Sequence, residues 1–297
     1  KKLKILFLYP NLNMSTLVPN AISILTAVLK RAGFNSIDLF DTTFYETDGL
    51  KTRMKYQVRV GQVQPYNFSE KNITPKTTDM YKDFVEKVDN FKPDVIFASL
   101  VEDTFPIFKN FMDLIKDKKI KCLVGGVFPS CAPERVMELD YVDYVCRGEG
   151  EGALVDLANA LEEDKEVTNI KNLWIKKKDK TIEKNCIRPA LDVNTLPVQD
   201  LSIFEDMTLH RPMMGKIYRM IPVETQRGCP YACRFCNAPG KTEFYNAQVA
   251  GRFFRKRTMK HVHEELRELV SNFGVEYIFF ITETFLAMSE KEFDEFC

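Results

Sequence analysis

Three cysteines in one short segment are the strongest chemical signal in the chain: Cys229, Cys233 and Cys236. Thiolates on so short a loop cannot all find disulfide partners locally, and soft sulfur ligands favour iron–sulfur clusters or zinc. A structural zinc site needs four protein ligands, usually as two separated pairs, so a zinc knuckle here would need Cys297 or His261 to complete it. Three thiolates are what a 4Fe-4S cluster needs if one iron stays open, and the spacing favours that interpretation.

The segment resembles the cluster loop of the radical S-adenosylmethionine (radical SAM) superfamily. The resemblance rests on the triad, on the preceding Arg227-Gly228 and on the aromatic Phe235 just before the third cysteine. It implies that the three cysteines bind a 4Fe-4S cluster whose open iron is chelated by the amino and carboxylate groups of SAM. It also implies that Phe235 packs near the adenine. An external one-electron reductant would then drive cleavage of SAM to a 5′-deoxyadenosyl radical.

Bulk composition suits an intracellular enzyme. A length of 297 residues favours about two domains, and 45% apolar with 28% charged residues allows full cores. Lys+Arg and Asp+Glu total 42 each, which disfavours a nucleic-acid partner. The remaining cysteines are scattered, as in a reducing cytosol, and neither a signal peptide nor a membrane-spanning run is visible. We therefore expect a cytoplasmic protein that acts on a small molecule, without a nucleic-acid or membrane partner.

The N-terminal half alternates predicted strands and helices. Nearly continuous apolar runs or short β-rich runs predict five strands, over Leu3–Pro10, Ser36–Asp41, Asp94–Ser99, Lys121–Gly126 and Tyr141–Cys146. Helical periodicity predicts helices between them, starting at Ala21 and stopping at Gly33, over Met80–Asn90, through Phe108–Ile115, and over Ala153–Leu161. This alternation predicts an α/β fold with a Rossmann-like doubly wound parallel sheet. Ligands of such sheets bind beyond the carboxyl ends of the strands.

Polar and turn-forming residues occupy those carboxyl ends. They are Asn11, Thr42, Ser99, Glu102, Gly125, Gly126, Gly148 and Glu149. Glycines let a bulky ligand approach the backbone, although any Rossmann-like domain has glycines there. Taken together, segments 124–134 and 142–151 resemble the cobalamin-binding domain that precedes the barrel in one large radical SAM subgroup, and 191–197 resembles its connecting stretch. The resemblance implies that this domain binds cobalamin and that the residues named above contact it.

One departure concerns the cobalt ligand. Cobalamin domains of the mutase and methionine synthase type carry Asp-x-His-x-x-Gly, whose histidine ligates cobalt from below. The only histidines here are His210, His261 and His263, all outside this domain, so a lower histidine ligand is excluded. Many radical SAM members also lack it, and the alternative is a domain that has kept the fold and lost the cofactor.

A long insertion at 44–78 follows the second predicted strand. It is too long for an ordinary connection. It is expected either to cover the cobalamin or substrate side or to decorate the surface.

Beyond the triad, Met259–Asn272 has the periodicity of a helix, and the strand Val275–Ile281 follows it. In radical SAM proteins the tip of the second barrel strand meets the SAM amino group. The resemblance therefore implies that Glu283 binds SAM, since a carboxylate suits an ammonium. Arg255 and Arg257 resemble a basic pair between cluster loop and helix, with either a structural role or a role in holding a carboxylate.

We expect three parts: residues 1–165 as the Rossmann-like cobalamin-binding domain, 166–215 as a connecting segment with a hairpin, and 216–297 as the N-terminal part of a radical SAM partial α/β barrel. Such a barrel needs about six strand–helix units, on the order of 200 residues. We therefore expect a truncated chain. The start at Lys1 and the end inside a helix that begins near Ser289 agree with this expectation.

The resemblance implies a cobalamin-dependent radical SAM enzyme. In such enzymes the deoxyadenosyl radical abstracts hydrogen and methylcobalamin supplies a methyl group to an unactivated carbon or phosphorus. Radical rearrangement or oxidative cyclisation with the same cofactors is the alternative, as is a non-catalytic cobalamin or iron–sulfur sensor. A methylthiotransferase would need a second cysteine triad, for which the candidates are Cys122, Cys131 and Cys146.

Overall fold

A seven-stranded sheet forms the N-terminal part of the protein. The structure, a computed structural model, describes residues 1–11, 18–46, 56–248 and 252–297. The strands are β1 Ile5–Tyr9, β2 Ile37–Asp41, β3 Val95–Ser99, β4 Lys121–Gly125, β5 Tyr144–Cys146, β6 Leu173–Lys176 and β7 Ile182–Lys184. They lie in the order β2-β1-β3-β4-β5-β6-β7.

The first five strands pair in parallel, as the alternating pattern predicts, whereas β6 and β7 are antiparallel to their neighbours. The α/β fold with a Rossmann-like start is confirmed. The β6–β7 hairpin, predicted as part of the connecting segment, pairs with β5 and extends the sheet beyond residue 165. Hydrogen bonds at the edge of β5 therefore make the hairpin continuous with the N-terminal sheet.

Helices cover both faces of this sheet, because its strands alternate apolar side chains between two cores. Ile5 and Phe7 of β1 join one apolar cluster, while Leu6 and Leu8 join the other. The first cluster contains helices Asn20–Arg31 and Glu151–Glu162, and the second contains Met80–Phe91 and Phe105–Ile115. Two short helices, Val127–Cys131 and Pro133–Met137, follow β4. The sheet is doubly wound.

A second, smaller sheet follows. It has the order β12-β9-β8, where β8 is His210–Met213, β9 is Lys216–Glu224 and β12 is Tyr277–Ile281. β9 and β12 are parallel and are connected through the helices Ala238–Gln248 and Met259–Phe273, and the helix Glu290–Phe296 comes last. A two-stranded ribbon pairs β10, Gln226–Arg227, with β11, Arg255–Lys256. Ile221 and Val223 of β9 belong to the first apolar cluster, so the two sheets share one core.

The insertion at 44–78 packs against the second sheet where the structure describes it. A bridge joins Tyr45 to Lys76, and Phe44 and Ile73 form a small apolar cluster with Ile217 of β9. Residues 47–55 lie outside the described residues. The described part of the insertion therefore ties the end of β2 to the second sheet. None of the described helices has both the length and the apolar character that crossing a bilayer requires.

Two predicted strand ends differ from the structure. The prediction of a strand from Tyr141 is wrong by three residues, because a turn precedes Tyr144 and the amide of Val142 donates to the carbonyl of Leu139. Strand β4 ends at Gly125, because Gly126 turns the chain at a φ of 114° and begins the next helix. A Cβ at Gly126 would lie 2.4 Å from the carbonyl oxygen of Leu100.

This contact predicts the effect of Gly126→Ala. The methyl group would meet the backbone, and the positive φ would be strained, so the free energy of unfolding should fall by about 1–3 kcal/mol. Urea unfolding measures the change. Gly240→Ala is the matched control, since nothing lies within 4 Å of a Cβ there. Equal stability of the two variants would contradict the predicted close approach.

Candidate functional site

A cavity that carries polar groups lies between the two sheets. It has a volume of about 510 Å³ and lies at the carboxyl ends of the parallel strands. Its walls include the ends of β3, β4 and β5 on one side and the ends of β9 and β12 on the other. This is the position that the doubly wound topology predicts for a ligand.

The cavity is apolar in its depth and lined by glycines near the strand ends. The apolar lining comes from the first sheet and from the helices Asn20–Arg31 and Glu151–Glu162. It includes Phe7, Ile22, Leu25, Phe97, Leu123 and Leu154. The glycines are Gly125, Gly126, Gly148, Gly150 and Gly228. At Gly126, Gly148 and Gly228 a Cβ would meet protein atoms, so these glycines permit close packing of the cavity wall. A large, partly apolar group suits this lining.

Six of the predicted cofactor-binding residues line the cavity: Ser99, Gly125, Gly126, Gly148, Glu149 and Glu283. The carboxyl ends of neighbouring parallel strands bring the first five together, whereas Glu283 comes from the loop after β12. Their roles toward a cofactor remain predictions. The lining also includes residues that the sequence pattern did not single out, chiefly Glu151, Glu224 and Thr282.

Three other predicted residues do not line it. The amide of Asn11 donates to Thr42 Oγ1 at 2.6 Å, and that hydroxyl donates back to the Asn11 carbonyl at 2.7 Å. These two buried residues thus tie the end of β1 to the end of β2. Glu102 lies in an exposed turn after β3. The structure therefore does not bring Asn11, Thr42 or Glu102 to the cavity.

The three cysteines of the triad lie on the loop between β10 and the helix Ala238–Gln248. Cys229 is partly buried, with Sγ 3.1 Å from Thr284 Oγ1, and Cys233 and Cys236 are exposed. All three are free thiols, and Cys236 Sγ accepts a hydrogen bond from the Ala238 amide at 3.4 Å. Thr284 follows β12, so the loop begins next to the strand end that carries Glu283.

The described residues contain no group of three His, Cys, Asp or Glu side chains gathered as around a single metal ion. A preformed zinc knuckle completed by His261 or Cys297 is therefore absent from the described part of the chain. The second triad that a methylthiotransferase needs is also disfavoured. Burial raises the pKa of the Cys122 thiol, and burial together with Glu151 raises the pKa of Cys146 to about 12.

Phe235 is 95% exposed and is not part of the cavity lining. Its predicted position near an adenine stays a prediction. None of the three histidines lines the cavity either, in the part of the chain that the structure describes.

A buried ion network closes one side of the cavity. Arg227 donates to Glu151 at 2.6 Å, to Glu224 at 3.0 Å and to Glu149 at 3.3 Å. Arg255 donates to both carboxylate oxygens of Glu149, at 2.6 and 3.1 Å. Glu149 and Glu151 follow β5 of the first sheet. Glu224 ends β9 of the second sheet, and Arg227 and Arg255 lie in the β10–β11 ribbon. The network therefore joins the two sheets.

The network also shows what the predicted basic pair does. Arg255 holds Glu149 and donates to the carbonyl of Leu191 at 2.6 Å. Arg257 is buried, pairs with Glu265 and donates to the carbonyl of Glu224 at 2.8 Å. Both arginines hold protein groups, and both carboxylate oxygens of Glu149 accept hydrogen bonds from protein donors. Glu149 is thus a wall residue whose carboxylate is occupied by the protein.

The pKa directions follow from burial and from the distribution of the charges. Burial alone would raise the pKa of Glu149, but Arg255 and Arg227 together lower it below the ordinary value of 4.5. Burial raises the pKa of Glu224 despite its contact with Arg227. Burial would lower the pKa of Arg227, yet three carboxylates hold it above its ordinary value. Arg227 therefore stays charged.

Comparison with known proteins agrees with this geometry. Residues 15–158 match the family model of the B12 binding domain. An uncharacterized methyltransferase of Pyrococcus horikoshii is 26% identical over 223 residues, covering 72% of this chain and 45% of the relative. The anaerobic magnesium-protoporphyrin IX monomethyl ester cyclase of Cereibacter sphaeroides is 23% identical over 245 residues, covering 80% of this chain and 38% of the relative.

Among solved structures, the cobalamin-dependent S-adenosylmethionine radical enzyme OxsB, with aqua-cobalamin and S-adenosylmethionine bound, superposes with a TM-score of 0.69. The alignment covers 100% of this chain and 37% of OxsB at 16% identity, which establishes the shared fold. As the resemblance predicts, the chain matches the B12 binding domain, and a solved structure that shares its fold is a cobalamin-dependent radical SAM enzyme. The chain spans less than half the length of these relatives.

The lowered pKa of Glu149 predicts how stability depends on pH in this cobalamin-domain protein. A carboxyl whose folded pKa is depressed contributes stability above its unfolded pKa and loses it as the pH falls through the folded pKa. Glu149→Gln should therefore lower the free energy of unfolding by about 3 kcal/mol at pH 7. The deficit should shrink as the pH falls below 4.5.

Urea unfolding at several pH values measures this difference. Glu138→Gln is the matched control, because Glu138 pairs with Arg135 on the surface, where both side chains are more than half exposed. Exposed pairs contribute about 0–1 kcal/mol, so that variant should show little loss at any pH. A deficit for Glu149→Gln that is independent of pH would contradict the assigned ion pairs.

Proposed function

We propose that this chain is the cofactor-binding part of a cobalamin-dependent radical SAM enzyme. In this proposal cobalamin occupies the cavity between the sheets, and Cys229, Cys233 and Cys236 hold a 4Fe-4S cluster that binds SAM. The observation that carries the proposal is the cavity itself. It touches the strand ends of the B12-binding domain and the residues Arg227-Gly228 that lead directly into the triad.

The lining of the cavity fits cobalamin. Its depth is apolar and lies between the sheet and the helices Asn20–Arg31 and Glu151–Glu162, where a large ring system can be removed from water. The sequence offers no histidine in this domain, so the proposal assigns no imidazole ligand to the cobalt.

The cysteine loop fits an iron–sulfur cluster by the chemistry of its donors. Three free thiols on one loop supply soft ligands, and two of them are exposed to the medium from which iron and sulfide would be taken up. Cys229 lies against Thr284, one residue after Glu283. Glu283 lines the cavity, and we propose that its carboxylate binds the SAM ammonium.

When bound, the cluster would supply the electron for reductive cleavage of SAM, and cobalamin would supply a transferable methyl group. The residues that line the cavity would hold cobalamin, and Cys229, Cys233 and Cys236 would hold the cluster. We propose methyl transfer as the reaction of the complete enzyme, on a small molecule and with an external one-electron reductant. The methyltransferase of Pyrococcus horikoshii supports this choice.

Oxidative cyclisation is the second candidate reaction. It is supported by the similarity to the anaerobic cyclase of Cereibacter sphaeroides, which covers 80% of this chain. The two reactions would use the same part of the protein.

Reconstitution of Cys233→Ala tests the cluster assignment. After anaerobic treatment with iron, sulfide and hydroxocobalamin, the wild-type chain should retain both groups, and Cys233→Ala should lose the cluster absorption and EPR signals. It should still retain cobalamin, because Cys233 is not part of the cavity lining. The matched control is Cys186→Ala, an exposed cysteine outside the triad. Zinc in place of iron in the wild type would overturn the mechanism.

Ala21→Trp tests the cobalamin assignment. Ala21 is exposed and lines the cavity from the first turn of helix Asn20–Arg31, so an indole there should occupy ligand space without disturbing the core. We expect affinity for hydroxocobalamin to fall at least about a hundredfold, because the indole would fill space that the ligand needs. Iron content should stay unchanged. Leu114→Trp, which enlarges an exposed side chain on the other helical layer, is the control. Unchanged affinity in Ala21→Trp would contradict binding in this cavity.

A further inference from the structure

The loop Arg147–Glu151, here called the β5 loop, contacts the chain on both sides of the cysteine triad. Before the triad, Arg227 donates to Glu149 and Glu151 of this loop. After the triad, Tyr245 Oη accepts a hydrogen bond from the Glu149 amide at 3.0 Å. The β5 loop is thus attached to both ends of the cysteine loop.

Aromatic packing makes the second attachment tight. Tyr245 and Phe253 are both buried, with ring centroids 4.7 Å apart. A Cβ at Gly148 would lie 2.6 Å from Tyr245 Oη, and one at Gly228 would lie 2.7 Å from the carbonyl oxygen of Phe253. Both glycines have positive φ, 75° and 80°. This ring pair therefore packs against the β5 loop and against the residue that directly precedes Cys229.

A cation–π contact adds to this attachment. The Arg147 guanidinium lies 4.7 Å from the centroid of the Phe244 ring, next to Tyr245 in the helix that follows the triad. Ion pairs thus attach the β5 loop to the segment before the triad, and aromatic contacts attach it to the helix after the triad. A shift of the β5 loop would have to move both ends of the cysteine loop with it.

The β5 loop is also a wall of the cavity. Gly148, Glu149, Gly150 and Glu151 all line it. Glu149 links the most segments, because its carboxylate also accepts a hydrogen bond from the Leu191 amide at 3.2 Å. An occupant that orders this wall therefore orders the groups that hold the cysteine loop.

We propose that Glu149 and Tyr245 are positioning residues that couple occupancy of the cavity to the stability of the metal cluster on the cysteine loop. The inference rests on the proposed function, since it needs both groups to bind. Coupling between two sites is reciprocal, so cobalamin raises affinity for the cluster, and the cluster raises affinity for cobalamin by the same factor. A more tightly held cluster is expected to be lost more slowly. Neither residue needs to touch the iron or the cobalt for this effect.

The test measures the rate of iron loss from the reconstituted chain to a ferrous chelator, with and without saturating hydroxocobalamin. In the wild type, we expect cobalamin to slow this loss by at least about fivefold. In Tyr245→Phe the ratio of the two rates should fall toward one, because only the hydroxyl that accepts from Glu149 is removed. Glu149→Gln should have the same effect. Tyr144→Phe, a buried tyrosine of β5 outside these contacts, should keep the wild-type ratio.

A second measurement distinguishes positioning from a merely structural role. A structural defect would speed iron loss equally with and without cobalamin and leave the ratio unchanged. Affinity for cobalamin, measured by absorption with and without the cluster, must change by the same factor as the affinity for the cluster. Wild-type ratios in both Tyr245→Phe and Glu149→Gln would overturn the inference, as would a ratio of one in wild-type protein that carries both groups.

The same spectra separate this inference from the proposed function. Wild-type chain that retains only one of the two groups would overturn the proposed function, and the inference with it. Retention of both groups without any coupling would overturn the inference alone. Coupling that disappears in the two variants and persists in Tyr144→Phe would support both.

Discussion

Three carboxylates around the Arg227 guanidinium hold the two sheets of this protein together. Glu149 and Glu151 follow β5 of the first sheet and Glu224 ends β9 of the second, and their side chains are between 10% and 22% exposed. Removing charges from water is costly, and the cost is recovered only when the partners meet in a specific geometry. Such a network stabilises one arrangement of the two sheets over others. Removal of a single partner leaves an uncompensated buried charge.

The cavity is a consequence of that arrangement. Neither sheet encloses it alone, because its walls combine the glycine-rich ends of β3, β4 and β5 with the ends of β9 and β12. The apolar cores of the two units also merge, since Ile221 and Val223 of β9 pack in the cluster that contains Phe7 and Phe97. Residues of the shared core line the interior of the cavity, and the ion network closes one side of it.

The two proposed cofactor sites differ in how far the protein alone prepares them. The cavity is lined by backbone and by mostly buried side chains, so much of its wall is in place before a ligand enters. The cysteine loop is exposed, and its thiols are not gathered around a single point in the described structure. A cluster would therefore have to order this loop, whereas cobalamin would enter a preformed space. The β5 loop contacts both the cavity and the cysteine loop, so an occupant of the cavity would stabilise the cysteine loop through these contacts.

The alternation of apolar runs and helical periodicity was sufficient to predict the first five strands, their helices and the ligand edge of the sheet. Local patterns carry that information, because a strand buried on both faces must be apolar throughout. The triad was equally visible, because its chemistry lies in one short segment. Strand ends are less visible in the sequence. Tyr141 belongs to a turn in which the Val142 amide donates to the Leu139 carbonyl, so β5 begins three residues later than the apolar pattern suggests.

Only the tertiary structure decided which candidate residues meet. Ser99, Gly125 and Glu283 line one cavity, while Asn11 and Thr42 bond to each other and Glu102 faces solvent. The sequence by itself determined the fold of the first sheet and the three thiols, and it indicated a cobalamin-binding domain. It did not reveal that Glu149 binds arginines 78 and 106 residues away. Contacts over such separations leave no periodic trace in the chain, because their geometry exists only after the two sheets have packed.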